Sequence, residues 1–150
     1  RLIRALEIIE SSGKLPSELE KQTSKNPDPS FRLFLIDRET KELHERIETR
    51  AKLMLAQGWI DEVKSILEKT PHASALKSVG YKQVVDYLNS KKPSGRNIKP
   101  GEAGLLSEIA LATRQLVKRQ RTWFRGQTEG EWFILDRDLE RLKLELESIE

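Results

Sequence analysis

The stretch Ala112-Thr-Arg-Gln-Leu-Val-Lys-Arg-Gln-Arg-Thr-Trp-Phe-Arg-Gly126 constrains this chain more than any other. It carries five cations and two aromatics, and no acid lies between Glu108 and Glu129. The pattern predicts one long helix from about Glu102 to Arg125. Wound that way, Arg114, Lys118, Arg121 and Arg125 fall at i, i+4, i+7 and i+11 and share a stripe. Leu105, Ile109, Ala112, Leu116 and Trp123 fall on an apolar stripe roughly opposite. Such a helix pins one face to a core and offers a row of cations to a polyanion. A solvated charged face is the other reading. Against it, the run lacks the acids at i±4 that exposed helices commonly use. Trp123 and Phe124 also put flat rings beside the charges, where they can stack on splayed bases or anchor the helix.

The rest of the chain supplies the frame. Residues 1 to about 12 read as an amphipathic helix through Leu2, Ile3, Leu6 and Ile9, stopped by Gly13. This pattern starts at Arg1 with no cap and no initiator Met, so we expect a piece of a longer chain. Residues 14–30 hold Pro16, Pro27 and Pro29 and are expected as loop, as are residues 89–101. Residues 31–36 are the best strand candidate. Asp37 is the expected N-cap of a helix from about Arg38 to Gln57, with Leu43, Ile47, Ala51, Met54 and Leu55 on its core face and Gly58 as its stop. A shorter helix through Ile60, Val63, Ile66 and Leu67 ends near Thr70-Pro71. A turn over Ala75–Gly80 leads to a helix from Tyr81 through Val84, Val85 and Leu88. Trp132–Leu135 is a second short strand, and Asp136 the expected cap of a last helix. Two isolated strands need partners, which leads us to expect the rest of a sheet in a missing portion. The expected fold is mainly α with two short strands.

Composition narrows the chemistry. There are no cysteines, which excludes disulfides and thiolate metal sites, and His44 and His72 lack ligand spacing. No apolar run approaches the ~20 residues that span a bilayer, so no membrane partner and a cytoplasmic location are expected. The net charge is only +3, so the local basic run says more than the total. No Gly-rich phosphate loop, no nucleophile with a base nearby and no carboxylate cluster is legible.

Two further segments carry chemistry. In Glu45-Arg-Ile-Glu-Thr-Arg50, Arg46 and Arg50 are neighbours on one helix face. Arg50 adjoins the apolar stripe, so a partly desolvated guanidinium is expected there, a fork that matches phosphate oxygens. An ordinary surface arginine paired with a glutamate fits the same spacing. In Lys77-Ser-Val-Gly-Tyr-Lys82, a glycine before a helix start lets backbone amides approach a phosphate. Taken by itself, this segment fits a plain turn with Gly80 in a left-handed conformation better.

In order and spacing these segments resemble the tRNA dimethylallyltransferase (tRNA isopentenyltransferase) family. The resemblance runs from Arg-Leu-Ile-Arg-Ala-Leu-Glu-Ile8 and Ser-Gly-Lys14, through Glu45-Arg-Ile, Arg50, Met-Leu55, Gly58 and Glu-Val63, to Ala75-Leu-Lys-Ser-Val-Gly-Tyr-Lys82 and Lys118-Arg-Gln-Arg-Thr-Trp-Phe-Arg125. It covers nearly the whole chain and corresponds to the family's C-terminal half. It implies that residues 1–150 are the C-terminal part of an α/β P-loop NTPase-like fold. The nucleotide-binding (ATP-type) phosphate loop and the general base would both lie upstream of Arg1, leaving no catalytic residue here. The implied reaction moves a dimethylallyl group from dimethylallyl diphosphate to N6 of the adenosine 3′ of the tRNA anticodon.

For this chain, the resemblance makes Arg50 the diphosphate-binding arginine. It makes Arg1, Arg4, Lys77, Gly80, Tyr81, Lys82, Lys118, Arg119, Gln120, Arg121, Thr122, Trp123 and Arg125 the contacts to a tRNA anticodon stem-loop. It also implies Mg2+ as cofactor, with no metal ligand identified here, and a monomer as the full-length protein. The lack of cysteine fits the bacterial type, without an appended zinc finger. Ala51-Lys52 stands where the family usually has Val-Asp. These 150 residues are expected to be inactive alone. A non-catalytic RNA-binding helical module is the alternative, and a helical interaction domain a third reading.

Overall fold

The computed structural model describes residues 2–22, 32–91, 101–127 and 130–148. Its elements run α1 (Leu2–Ser12), α2 (Pro16–Gln22), β1 (Phe34–Asp37), α3 (Thr40–Ala56), α4 (Trp59–Lys69), a 3₁₀ turn at Ser74–Lys77, α5 (Tyr81–Leu88), α6 (Glu102–Gln127), β2 (Glu131–Ile134) and α7 (Leu135–Glu147). The fold is mainly helical with two short strands, as the sequence pattern predicts, and the strands run parallel. The partner each strand needs is the other one, since β1 pairs with β2. The chain divides into two units, Arg1–Phe34 with Glu129–Glu131, and Leu35–Thr128 with Trp132–Glu150.

In the first unit α1 is amphipathic, yet none of its residues is buried. Gly13, at φ +65°, ends it and donates to the Ile9 carbonyl at 2.8 Å. The loop expected over 14–30 needs correction, because Pro16–Gln22 is helical. Pro16 occupies the first helical position, where its missing N–H costs nothing. The Glu18 carboxylate accepts from the Leu15 amide at 3.1 Å, half of a capping box that the loop reading overlooked. Residues 23–31 and 92–100 lie outside the described residues, and with them Phe31 and most of the expected 89–101 loop.

In the second unit α3 packs along α6, and α4 and α5 close the other side. Ala51, Trp59, Val63, Leu76, Val84, Leu105 and Ile109 form the core cluster. Trp59 with Val63, and Leu105 with Ile109, sit at i, i+4, so each pair buries one stripe of its helix. Val63 and Val84 have no exposed surface, and each such side chain stabilises by about 1.5–3 kcal/mol relative to exposure. The apolar stripe expected on α6 is real at its N-terminal end but fails at the other. Leu105 and Ile109 are buried, whereas Trp123 is 58% exposed.

Two expected caps are corrected. Glu39, not Asp37, precedes α3, with no side-chain cap. Asp37 instead ends β1 and accepts from the Arg38 amide at 2.8 Å. Asp136 lies inside the first turn of α7, and it is Asp138 that accepts from the Ile134 amide at 2.8 Å. Both errors have one cause. An aspartate near a helix start satisfies the same amides from several positions, so spacing alone does not pick the register.

Gly80 and Gly58 share a left-handed φ but not an environment. At Gly80, φ +95°, an added Cβ meets Trp59 Cη2 at 2.5 Å; at Gly58, φ +91°, nothing lies within 4 Å. Gly58→Ala is therefore expected to lose about 1 kcal/mol from backbone strain alone. Gly80→Ala should lose about 2–4 kcal/mol, because overpacking against a buried indole adds to that strain. Urea unfolding followed by tryptophan fluorescence measures both, and equal losses would show that the Trp59 contact is not tight.

Candidate functional site

Helix α3, the turn over Ser78–Tyr81 and helix α6 wall a groove of about 930 Å³. Its floor is apolar, with Ile47, Met54, Trp59, Ile109 and Leu116. Its polar lip carries Arg46 and Arg50, one helical turn apart on α3. The two arginines differ. Arg46 is tied to Glu42 at 3.4 Å, and Glu42 also holds Arg38 at 2.7 Å. Arg50 has no such tie among the described residues. It is exposed rather than partly desolvated, as the apolar neighbourhood had suggested. Its fork of donors is thus available to an anion entering the groove.

The turn opposite owes its shape to Trp59. That ring is 5% exposed, meets Tyr81 edge-on with centroids 5.5 Å apart, and presses on Gly80. The Gly80 amide donates to Gln83 Oε1 at 2.7 Å. The glycine is thus explained by close approach of the indole and a positive φ, and its own amide is already used. The Tyr81 hydroxyl donates to Glu62 Oε1 at 2.7 Å. That hydrogen bond raises the Tyr81 pKa above the ordinary phenol value, and burial and the Glu62 charge push the same way. Lys82 is bound to Asp86 at 3.0 Å, and Lys91 shares that carboxylate at 2.7 Å. Burial pushes the Asp86 carboxyl up, but the hydrogen bonds from Lys91 and Lys82 outweigh it and hold it below the usual range. Lys77 is exposed at the end of the 3₁₀ turn.

On α6 the expected cation stripe is split. Arg114 lies 3.6 Å from Glu48 on α3. Arg121 reaches Asp37 Oδ1 at 2.8 Å, the Arg38 carbonyl at 2.8 Å and Thr40 Oγ1 at 3.0 Å. Both arginines face acids that are remote in sequence, which i±4 counting could not find. Gln115, Lys118, Arg119 and Thr122 form the exposed strip instead, at i, i+3, i+4 and i+7. Among the described residues no ion pair holds Lys118 or Arg119. Thr122 Oγ1 donates to the Lys118 carbonyl, and Gln120 is exposed. Trp123 and Phe124 meet edge-on at 4.9 Å, and the Arg125 guanidinium lies over the Trp132 ring at 5.6 Å.

Of the other expected contacts, Arg4 belongs to the first unit, where it pairs with Glu7 at 3.2 Å. Arg1 lies outside the described residues. Among the described residues no group of three His, Cys, Asp or Glu side chains could hold a metal ion. No described helix is long and apolar enough to cross a membrane. Sequence reasoning missed Trp59, which both floors the groove and shapes its turn. Its place four residues before Val63, on the core face, was the available signal.

Comparison with known proteins gives this geometry a lineage. The family model for IPP transferases matches residues 1–127. The chain is 40% identical over 133 residues to a tRNA dimethylallyltransferase of Opitutus terrae, covering 85% of this chain and 41% of that protein. It is 37% identical over 153 residues to one of Stenotrophomonas maltophilia, covering 95% and 45%. The crystal structure of the full-length tRNA isopentenylpyrophosphate transferase from Bacillus halodurans superposes with a TM-score of 0.64 at 27% identity, over 88% of this chain and 41% of that one. A tRNA delta(2)-isopentenylpyrophosphate transferase from Staphylococcus epidermidis shares the fold, with a TM-score of 0.65 at 23% identity, over 97% and 48%. The chain spans about half the length of these relatives. It belongs to the IPP transferase family.

Proposed function

We propose that this chain is the tRNA-gripping and diphosphate-gripping part of a tRNA dimethylallyltransferase. The observation that carries the reading is Arg50, untied on the lip of a groove whose floor is apolar. In the proposed reaction N6 of an anticodon-loop adenosine attacks C1 of dimethylallyl diphosphate. The C–O bond breaks, the diphosphate leaves with the electron pair, and the N6 proton passes to a base that the family resemblance puts upstream of Arg1. Arg50 would neutralise charge gathering on the departing oxygens, and the apolar floor would accept hydrocarbon. The adenosine must leave its stack before N6 can react, so a cationic strip beside an exposed indole suits the task.

The anticodon stem-loop as the RNA bound, a monomeric full-length protein and a cytoplasmic setting come from the resemblance and belong to this reading. So does Mg2+, but the described residues offer it no fitting carboxylate set, and no step here involves it. The isolated 150 residues are expected to show no transfer.

In the full-length enzyme that carries this chain, Arg50→Ala is expected to cut turnover by about 10²-fold or to weaken donor binding comparably. Steady-state kinetics against dimethylallyl diphosphate decides it. Full activity with normal donor affinity would remove Arg50 from the role.

RNA binding by the chain itself is expected to fall with log[salt] by about 0.7–0.9 per phosphate contacted. Lys118→Gln with Arg119→Gln should flatten that slope by about 1.5. Trp123→Ala should cost about 1–3 kcal/mol of affinity while leaving the slope alone. Fluorescence anisotropy with a synthetic anticodon stem-loop measures all three. Binding indifferent to salt would favour a helical interaction domain instead.

A further inference from the structure

From Lys118 to Gly126 every side chain on α6 is exposed except one, Arg121. Its two NH groups bond three acceptors at the β1–α3 junction: Asp37 Oδ1, the Arg38 carbonyl and Thr40 Oγ1. These partners lie 81 to 84 residues away in sequence. The Arg121 and Asp37 side chains are only 21% and 18% exposed, so neither is placed to meet a nucleic-acid backbone. The Arg121 Nε is fully covered and has no partner. A guanidinium sunk this far is fixed in direction as well as place, because its planar fork matches acceptors in one orientation only.

We propose that Arg121 is a positioning residue rather than an RNA contact: its bonds to the β1–α3 junction set the rotation of the C-terminal half of α6. Core packing ends before this half begins, with Ile109 and Ala110 the last fully buried residues on the helix. Beyond them the Arg121 latch locks the helix about its axis. Locked so, the helix turns Lys118, Arg119 and Thr122 outward together. Arg125 over Trp132, at 5.6 Å, is a weaker and less directional contact of the last turns. Asp37 carries as much of the function as Arg121 does, although an acid beside a nucleic-acid surface would ordinarily oppose binding. This inference rests on the RNA-binding reading for its consequence, but not for the latch itself.

The sign of the Asp37→Asn effect tests it. If Arg121 touched phosphate, removing a nearby negative charge would tighten binding to a synthetic anticodon stem-loop. As a latch, Asp37→Asn is expected to weaken binding by about ten-fold, one decade on the affinity scale, with Asp37→Glu restoring most of it. Hydrogen exchange of the free 150-residue chain gives a second readout. In Asp37→Asn, amides of residues 118–127 should exchange faster while those of α4 and α5 keep their protection. Thr40→Val, which removes one bond and leaves the shape, should give a smaller change of the same kind. Faster exchange without RNA binding in any variant, wild type included, upholds the latch and overturns the RNA reading. Unchanged exchange at 118–127, or tighter RNA binding by Asp37→Asn, overturns the latch.

Discussion

The contact of Trp59 on Gly80 governs the shape of the second unit. An indole buried to 5% exposure, with a backbone running under it closer than any Cβ would permit, locks the start of α4 to the start of α5. The same ring forms part of the groove floor and meets Tyr81 at its edge. Tyr81 in turn is held by Glu62 on α4. One side chain therefore ties together two helices, a turn and a groove wall. Its Nε1 is buried without a partner, a cost of roughly 1–3 kcal/mol by the usual scale for unmet donors. Burying an indole of this size more than offsets it. A phenylalanine would avoid the unmet donor, but it would reach less far over Gly80.

Electrostatics divides the cations into two kinds. Arg38, Arg46, Arg114, Arg121 and Lys82 each lie against a carboxylate. Such pairs on or near the surface give modest stability, typically below ~1 kcal/mol. Their larger effect is to fix where a side chain is. Arg50, Lys118 and Arg119 are not fixed in this way among the described residues, and they sit where an anion can arrive. A tied cation sets geometry, whereas an untied one keeps its hydration until a ligand replaces it. The same residue type thus does two jobs in adjacent turns of one helix.

This division explains what was legible in the sequence and what was not. Helix boundaries followed from periodicity and glycine stops, so Gly13, Gly58 and Gly80 marked real ends. The core followed equally, since Ala51, Val63, Val84, Leu105 and Ile109 lie on predicted faces. The short helix at Pro16–Gln22 was hidden because three prolines read as loop, although Pro16 was in the position where a helix tolerates it. The face of α6 was misread for a different reason. A cation stripe with no acid at i±4 looks unpaired, but Asp37 and Glu48 reach it from β1 and α3. Local spacing sees neighbours on one helix only, and pairing across the fold is tertiary information. Trp59 was missed because the apolar face of this helix was read from Ile60, one residue past it.

Ala51 and Lys52, the two residues after Arg50, lie on different sides of α3's surface, one buried and one exposed. Ala51 is 4% exposed and lies in one core cluster with Leu105 and Ile109 of α6. A small residue lets two helices approach closely, and their separation sets the width of the groove between them. Lys52 points to solvent. A lysine there leaves the packing alone and puts a positive charge two residues from Arg50. That charge adds to Arg46 and Arg50 in a groove that Glu42 and Glu45 also line. A lysine beside Arg50 favours an incoming anion by long-range attraction, which salt screens over roughly 8–10 Å. A small residue at the helix contact and a cation beside Arg50 both suit the anion-binding role proposed for Arg50, one by setting how near α6 comes and the other by its charge.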